Sequence, residues 1–367
     1  MKKIFLFVFF SSILVFANYS SKRTHEGYFV YGKENIKYLS PYNTLSIDHV
    51  SAYGFEVYGP PGLGNYLQRI QVRFVVLPTG APPFRAPYAT PEQVGDRLKT
   101  VATNYPNLVK MFSIGKSVKG RDLWVLKLAQ NVQNDDQRPE FKFIANMHGD
   151  EIVGRELMVL LIEDLAQNYG KDPFITDLMN KTQIYIMPSM NPDGAKNVSR
   201  GNADYVDLNR DFPDFSTDDN QNKLDGRAIE TQAVMKWQAQ RKFVLSANFH
   251  GGAEVVSYPW DTIPDKFPFY DLIKNISTEY ALNAPYIAAS KSFKQGITNG
   301  YEWYEINGGM QDWSWYWHKD MQVTVELSNV KYPDPSKTPY YYQQNRKALL
   351  TYISRVHTIN QSRWVRH

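Results

Sequence analysis

Apolar and polar positions along the chain fall into two regimes. Over residues 27–78, short aromatic and β-branched runs such as 54–58 and 70–77 are separated by glycine and proline clusters, the pattern of short strands between turns. After the proline-dense stretch 78–91 (PTGAPPFRAPYATP), strand-like runs alternate with longer segments of helical period. The spacing predicts strands over 108–114, 123–128, 141–146, 183–187, 243–248 and 321–327, and helices over 91–105, 153–169, 227–240, 267–280 and 340–359. Such alternation predicts an α/β fold, a mixed β-sheet flanked by helices, preceded by a small β-rich N-terminal module. The expected division is 18–87 for the module and 88–367 for the α/β domain.

The first residues belong to neither regime. Lys2 and Lys3 precede an apolar stretch over 4–16, interrupted only by Ser11 and Ser12, and the small residue Ala17 follows. This is the layout of a secretory signal peptide, 1–17, cut after Ala17. The competing reading, a membrane anchor, needs about 20 apolar residues, more than the stretch provides. No other segment is long and apolar enough, so the expectation is an exported protein, periplasmic or extracellular, whose mature chain has no integral membrane segment.

Composition then removes whole classes of chemistry. With 367 residues, 43% of them hydrophobic, the chain can bury a large core. Its 41 basic and 37 acidic residues form no long single-sign run, so no nucleic-acid partner is expected. Cysteine is absent, which excludes disulfides, thiol nucleophiles and thiolate metal sites.

The candidate motifs gather where predicted strands end, the place at which open α/β sheets form crevices. In 141–156 (FKFIANMHGDEIVGRE) a strand runs into a turn carrying His148 and Glu151, then into a helix. An imidazole and a carboxylate three residues apart converge on one cation if the turn folds both toward the sheet edge. Residues 243–252 (FVLSANFHGG) repeat the arrangement, with His250 after a buried strand and an asparagine. Two strand ends thus deliver a His2Glu set with a fourth position open, as in catalytic zinc sites. For either histidine alone, the competing reading is a hydrogen-bonded turn residue. Glu326 lies in 321–327 (MQVTVEL), on the strand face opposite Val323, Val325 and Leu327. It is either solvated at a sheet edge or aimed into a cleft, and the sequence leaves both open.

Four further segments, 187–194 (MPSMNPDG), 207–214 (DLNRDFPD), 246–261 (SANFHGGAEVVSYPWD) and 296–313 (GITNGYEWYEINGGMQDW), join HGDE and VTVELSNVKYP in one order. Together they resemble the zinc metallocarboxypeptidases, specifically the carboxypeptidase N/E (regulatory) subfamily, over about 88–359. The resemblance implies one Zn2+ per chain, held by His148, Glu151 and His250, and removal of single residues from peptide or protein C-termini. It also implies that Asn209 and Arg210 clamp the substrate's terminal carboxylate and that Tyr304 covers it. Arg200 would support the carbonyl oxygen as charge develops, Glu326 would be the general base, and Asp207 would orient a ligating histidine. Asp261, with the neutral Gln311 nearby, matches the position that reads a basic side chain, so C-terminal Lys or Arg is the expected preference. Asp150 and Asp211 depart from the subfamily, which mostly has asparagine there, and are expected to add acid near the metal. Regulatory members also carry a transthyretin-like β domain after the catalytic one, whereas this chain ends at His367 soon after its last predicted helix, with a β module in front instead. Two other readings use the same residues. One is an exported peptidase trimming diaminopimelate-containing cell-wall peptides. The other is a non-catalytic carboxypeptidase-like binding module, whose sequence mark, loss of a ligand or of the base, is not seen.

Overall fold

A computed structural model describes residues 26–39, 42, 45–51, 53–77 and 88–360. The expected signal peptide and residues 78–87 of the proline-dense connection lie outside them. Strands β1 (Glu26–Tyr31), β2 (Ser46–Ser51), β3 (Gly54–Gly59) and β4 (Phe74–Val76) pair antiparallel in the order β2-β3-β1-β4. A 3-10 helix, Lys33–Tyr38, and an α-helix, Leu63–Arg69, connect them. Val30, Phe55, Val57, Leu63 and Leu67 form this module's own core. The run expected over 70–77 is a strand only at its end, because Ile70 still closes the preceding helix. That helix, at seven residues, is too short to show a clear helical period.

The second part is built on an eight-stranded sheet of order β11-β10-β12-β9-β7-β8-β6-β5. Its strands are β5 (Val109–Lys116), β6 (Asp122–Leu128), β7 (Glu140–Ala145), β8 (Gln183–Met187), β9 (Phe243–His250), β10 (Ala253–Tyr258), β11 (Ile297–Asn299) and β12 (Met321–Ser328). The central β12, β9, β7 and β8 are parallel, while β5, β6 and β10 supply antiparallel pairings toward the edges. All the expected strands are present with ends shifted by at most two residues. The sequence pattern missed β10 and β11, the first because it follows β9 after only Gly251 and Gly252 and the second because it is three residues long.

Helices Pro91–Asn104, Val153–Asn168, Tyr270–Asn283 and Thr338–Ser354 pack on one face of the sheet, and Ile229–Gln238 and Met310–His318 on the other. The predicted helix 340–359 is in fact two, separated at Arg355. The start of the α/β part is fixed by a capping box: the Thr90 hydroxyl accepts from Gln93 N (3.3 Å) and the Gln93 side chain accepts from Thr90 N (2.8 Å), with Pro91 at the first helical position.

A polar ladder inside the sheet fixes how two of its strand ends align. On a single face of β9 and β12, Gln322 Nε2 donates to Ser246 Oγ (2.9 Å), and Asn248 Nδ2 donates to Gln322 Oε1 (3.0 Å) and Thr324 Oγ1 (3.2 Å). A one-residue slip would send these buried polar groups to the opposite, apolar face, so the register is strongly specified. In that register Glu326 stands directly beside His250.

Candidate active site

The turn after β7 is organised by Asn146. It adopts φ 56°, a left-handed conformation that asparagine tolerates better than most residues, and its buried carboxamide donates to the carbonyls of His148 (2.9 Å) and Glu151 (3.2 Å). Gly149 is required there because a Cβ would lie 2.0 Å from the Gly194 carbonyl carbon. The chain then enters helix Val153–Asn168, leaving His148 and Glu151 turned toward the strand ends, where β9 delivers His250.

Glu151 Oε2 lies 3.0 Å from His148 Nδ1 and 2.9 Å from His250 Nδ1, and the two imidazole nitrogens are 3.0 Å apart. All three residues are buried. His148 Nε2 faces Asp207 Oδ1 at 3.0 Å, which places its proton on Nε2 and a lone pair on Nδ1. Burial pushes His250 down to about 4, so its imidazole is neutral, the form a metal ligand needs. Its Nε2 is buried without a hydrogen-bond partner among the described residues. Two imidazole lone pairs and a carboxylate oxygen converging at these distances fit a zinc ion, with the fourth side open.

Arg200 Nε donates to Asp207 Oδ2 (2.8 Å), and its Nη1 lies 3.3 Å from Glu151 Oε1. Burial acts against the ionised form of Asp207, but Arg200 and His148 more than offset it and hold the carboxyl well below its ordinary range. Glu326 resolves the ambiguity left by the sequence. Its strand, β12, is interior, between β9 and β10, and the side chain is 9% exposed into the same cavity as the three ligands.

Asn209 also lines that cavity, at a 3-10 turn, Leu208–Arg210, begun by Asp207 accepting Asn209 N (2.9 Å). Its Oδ1 accepts Met310 N (3.0 Å). Arg210 Nη1 donates to Asn209 O (2.9 Å), and its charge acts on both Asp261 and Tyr304 of the cavity lining. Asp261 forms part of the cavity wall and accepts Gln311 Nε2 at 2.8 Å. Only glycine fits at position 300, where a Cβ would lie 1.7 Å from Asp261 Oδ1. Behind Asp261 are two buried acids that the sequence reading did not single out. Asp312 Oδ2 accepts the N–H of Asp261 (2.8 Å) and Thr262 (3.0 Å), and Asp214 accepts Gly308 N (2.8 Å). Their only sequence signal was membership of the quoted segments. Burial, with Asp214 adding to it and Arg210 opposing it, pushes Asp261 up to about 7.

One expectation changes. Asp211 does not add acid at the triad, because its Oδ2 accepts Ala228 N (2.9 Å) at the start of helix Ile229–Gln238. Asp150 does lie near, with Oδ2 3.7 Å from Lys331 Nζ, and Lys331, also missed by the sequence reading, is 3.1 Å from Glu151 Oε1. The position of the N-terminal module was equally unforeseen. Ile47 and Val50 of β2 line the cavity from above, Tyr304 packs against the module's core, and Lys33 Nζ donates to the Glu302 carbonyl (2.7 Å). With the module seated, the cavity holds about 40 Å³.

Residues 95–348 match the zinc carboxypeptidase family model. The chain is 44% identical over 285 residues to mouse carboxypeptidase M, covering 71% of this chain and 63% of that one. It is 40% identical over 285 residues to human carboxypeptidase D, of which the match spans 20%. It is 34% identical over 305 residues to the human carboxypeptidase N catalytic chain, covering 71% and 67%. Among solved structures, carboxypeptidase A from Helicoverpa armigera is similar with a TM-score of 0.70 at 18% identity, covering 91% of this chain and 97% of that one. Thrombin activatable fibrinolysis inhibitor is similar with a TM-score of 0.69 at 16% identity, covering 93% and 100%. Both shares exceed what residues 88–367 alone provide, so the likeness of fold takes in the N-terminal module. The chain belongs to the zinc carboxypeptidase family.

Proposed function

We propose that the chain is a zinc-dependent carboxypeptidase that removes single residues from peptide or protein C-termini, with a preference for Lys or Arg. The observation that carries this reading is one cavity in which His148, Glu151 and His250 share walls with Glu326, Asn209 and Asp261. His148, Glu151 and His250 would hold the zinc, which when bound would supply a Lewis acid for the scissile carbonyl and the attacking water. Glu326 takes the attacking water's proton on its carboxylate and passes it to the leaving nitrogen as the C–N bond breaks, releasing one free amino acid. Arg200 stabilises the carbonyl oxygen as it becomes negative. Arg210 and Asn209 bind the terminal carboxylate and Tyr304 closes over it, so that only the last peptide bond reaches Glu326. Asp207 keeps the His148 proton on Nε2, away from the metal side.

We read residues 88–367 as the catalytic domain, 18–87 as a module that closes its mouth, and 1–17 as a signal peptide that exports the protein. Among the described residues no helix is long and apolar enough to cross a membrane. The test is zinc content of the purified chain together with release of C-terminal Arg, Lys, Phe and diaminopimelate from peptides after cleavage within 78–87. One zinc per chain and fastest release of Arg and Lys are expected. A chain that binds no zinc, or releases nothing once cleaved, overturns the reading. Equal release of Phe removes the basic preference, and selective release of diaminopimelate would assign cell-wall peptides instead.

The Asp261 pocket gives this preference a pH signature. A carboxyl raised to about 7 is largely neutral below that pH and ionised above it, and only the ionised form pairs with an ammonium or guanidinium group. Hydrogen bonds to charged groups contribute about 1.5–3 kcal/mol, or on the order of 10- to 100-fold in KM. Raising the pH from about 6 to about 8, across that pKa, should therefore lower KM for a C-terminal Arg peptide while leaving a C-terminal Met peptide little changed. In Asp261→Ala the two pH profiles should coincide; a surviving difference would show that another group reads the side chain.

A further inference from the structure

Glu151 is partnered differently at its two oxygens. Oε2 faces the imidazoles of His148 and His250 and accepts Gly251 N at 3.1 Å. Oε1 faces away from the imidazoles, toward cations: Lys331 Nζ at 3.1 Å and Arg200 Nη1 at 3.3 Å. Arg200 is also tied to Asp207, and in the proposed reaction it serves the substrate oxygen.

The placement of Lys331 is built into the fold. Lys331 follows β12 by three residues, its carbonyl accepts Ile152 N (3.0 Å) directly after Glu151, and its stem runs beside Gly252 at the end of β9. The backbone of Lys331 therefore pins the turn that carries Glu151, and its ammonium binds the carboxylate in the same turn. The side chain is only 13% exposed, so the charge is largely withdrawn from water and faces acids, Glu151 and, at 3.7 Å, Asp150. A partly buried ammonium is stable only when so compensated.

We infer that Lys331 is a positioning residue for the metal centre: by binding Oε1 of Glu151 it holds Oε2 toward the point where His148 and His250 converge. A metal-ligating carboxylate swings about its terminal torsion unless its second oxygen is held, and loss of such an outer partner typically weakens metal binding about 10- to 100-fold. The inference rests on the zinc reading of the triad, and the experiment separates the two.

Zinc affinity is measured on the full chain by competition with a chromophoric chelator at fixed pH and ionic strength, for the wild type, Lys331→Met and Lys331→Arg. Methionine keeps an unbranched stem beside Gly252 and removes the charged donor, whereas arginine keeps a cationic donor. Lys331→Met should bind zinc about 10- to 100-fold more weakly, and Lys331→Arg should stay close to the wild type. The inference is overturned if Lys331→Met binds zinc as tightly as the wild type or more tightly, or if Lys331→Arg loses as much as Lys331→Met, since the stem's packing would then be what matters. Circular dichroism of each variant shows whether it is folded; should Lys331→Met not fold, Lys331→Gln takes its place with the same expected loss. If the wild type itself takes up no zinc, the triad reading fails, and that failure is distinct from either outcome for Lys331.

Discussion

Glu326→Gln is expected to lower kcat by about 10²- to 10⁴-fold, the range that a positioned acid–base group supplies, while the protein keeps its zinc and its KM. The side chains are nearly isosteric, and Glu326 lies on an interior strand whose register is locked by the Ser246, Asn248, Gln322 and Thr324 ladder, so the backbone has no reason to move. A carboxamide cannot take a proton from water at neutral pH, which removes the step assigned to this residue. The triad of His148, Glu151 and His250 does not include position 326, so metal content should be unaffected. Asn209 and Arg210, not Glu326, are the residues proposed to hold the substrate's carboxylate, so KM should change little. The measurement is zinc per chain together with kcat and KM for a C-terminal Arg peptide, on chain cleaved within 78–87. Retained turnover would remove Glu326 from the chemistry, and loss of zinc alongside turnover would make it part of the metal site instead.

How much of this site the sequence disclosed depends on the kind of signal each residue gives. His148, Glu151 and His250 were legible because each sits at the end of a strand with a strong apolar period, and strand ends of this topology face one crevice. Glu326 was half legible: its strand was clear and its face was correct, but whether β12 was an edge or interior strand depends on sheet order, which no local pattern encodes. The pocket behind Asp261 was mostly hidden, since Asp214 and Asp312 become neighbours of Asp261 only through contacts across about 50 residues of chain or more. Asp211 was misjudged because adjacency to Arg210 in sequence said nothing of its pairing with Ala228 N. Lys331 and Ile47 were invisible for the same reason, and in both cases the missing information is which loop or module folds over which strand end.

The seating of Ile47 over the cavity predicts that the uncut chain is inhibited, with kcat/KM rising about 10- to 100-fold when the N-terminal module is released. In the closed arrangement the cavity of about 40 Å³ is far below the roughly 300–1,000 Å³ of an ordinary ligand pocket and leaves little space for a Lys or Arg side chain. Access therefore requires the module to move. Ile47, 6% exposed, and Val50 both face the cavity, and burying such a side chain contributes about 1.5–3 kcal/mol. Half of their combined burial biases closure by about 1.5–3 kcal/mol, which leaves about 1–7% of the molecules open. Tyr304 strengthens the effect, because the residue proposed to close over the substrate is packed instead against the module's core. A protease site inserted within 78–87 allows the comparison on one preparation, before and after cutting and separation of the pieces. Val50→Asp, which desolvates a charge whenever the module is seated, should raise the activity of the uncut chain in the same direction. Equal activity before and after release would show that the module leaves the mouth freely in solution, and inhibition by closure would then be wrong. If release does activate the chain, adding the freed module back should inhibit it again but far less effectively than when tethered, because covalent attachment supplies an effective concentration in the millimolar range.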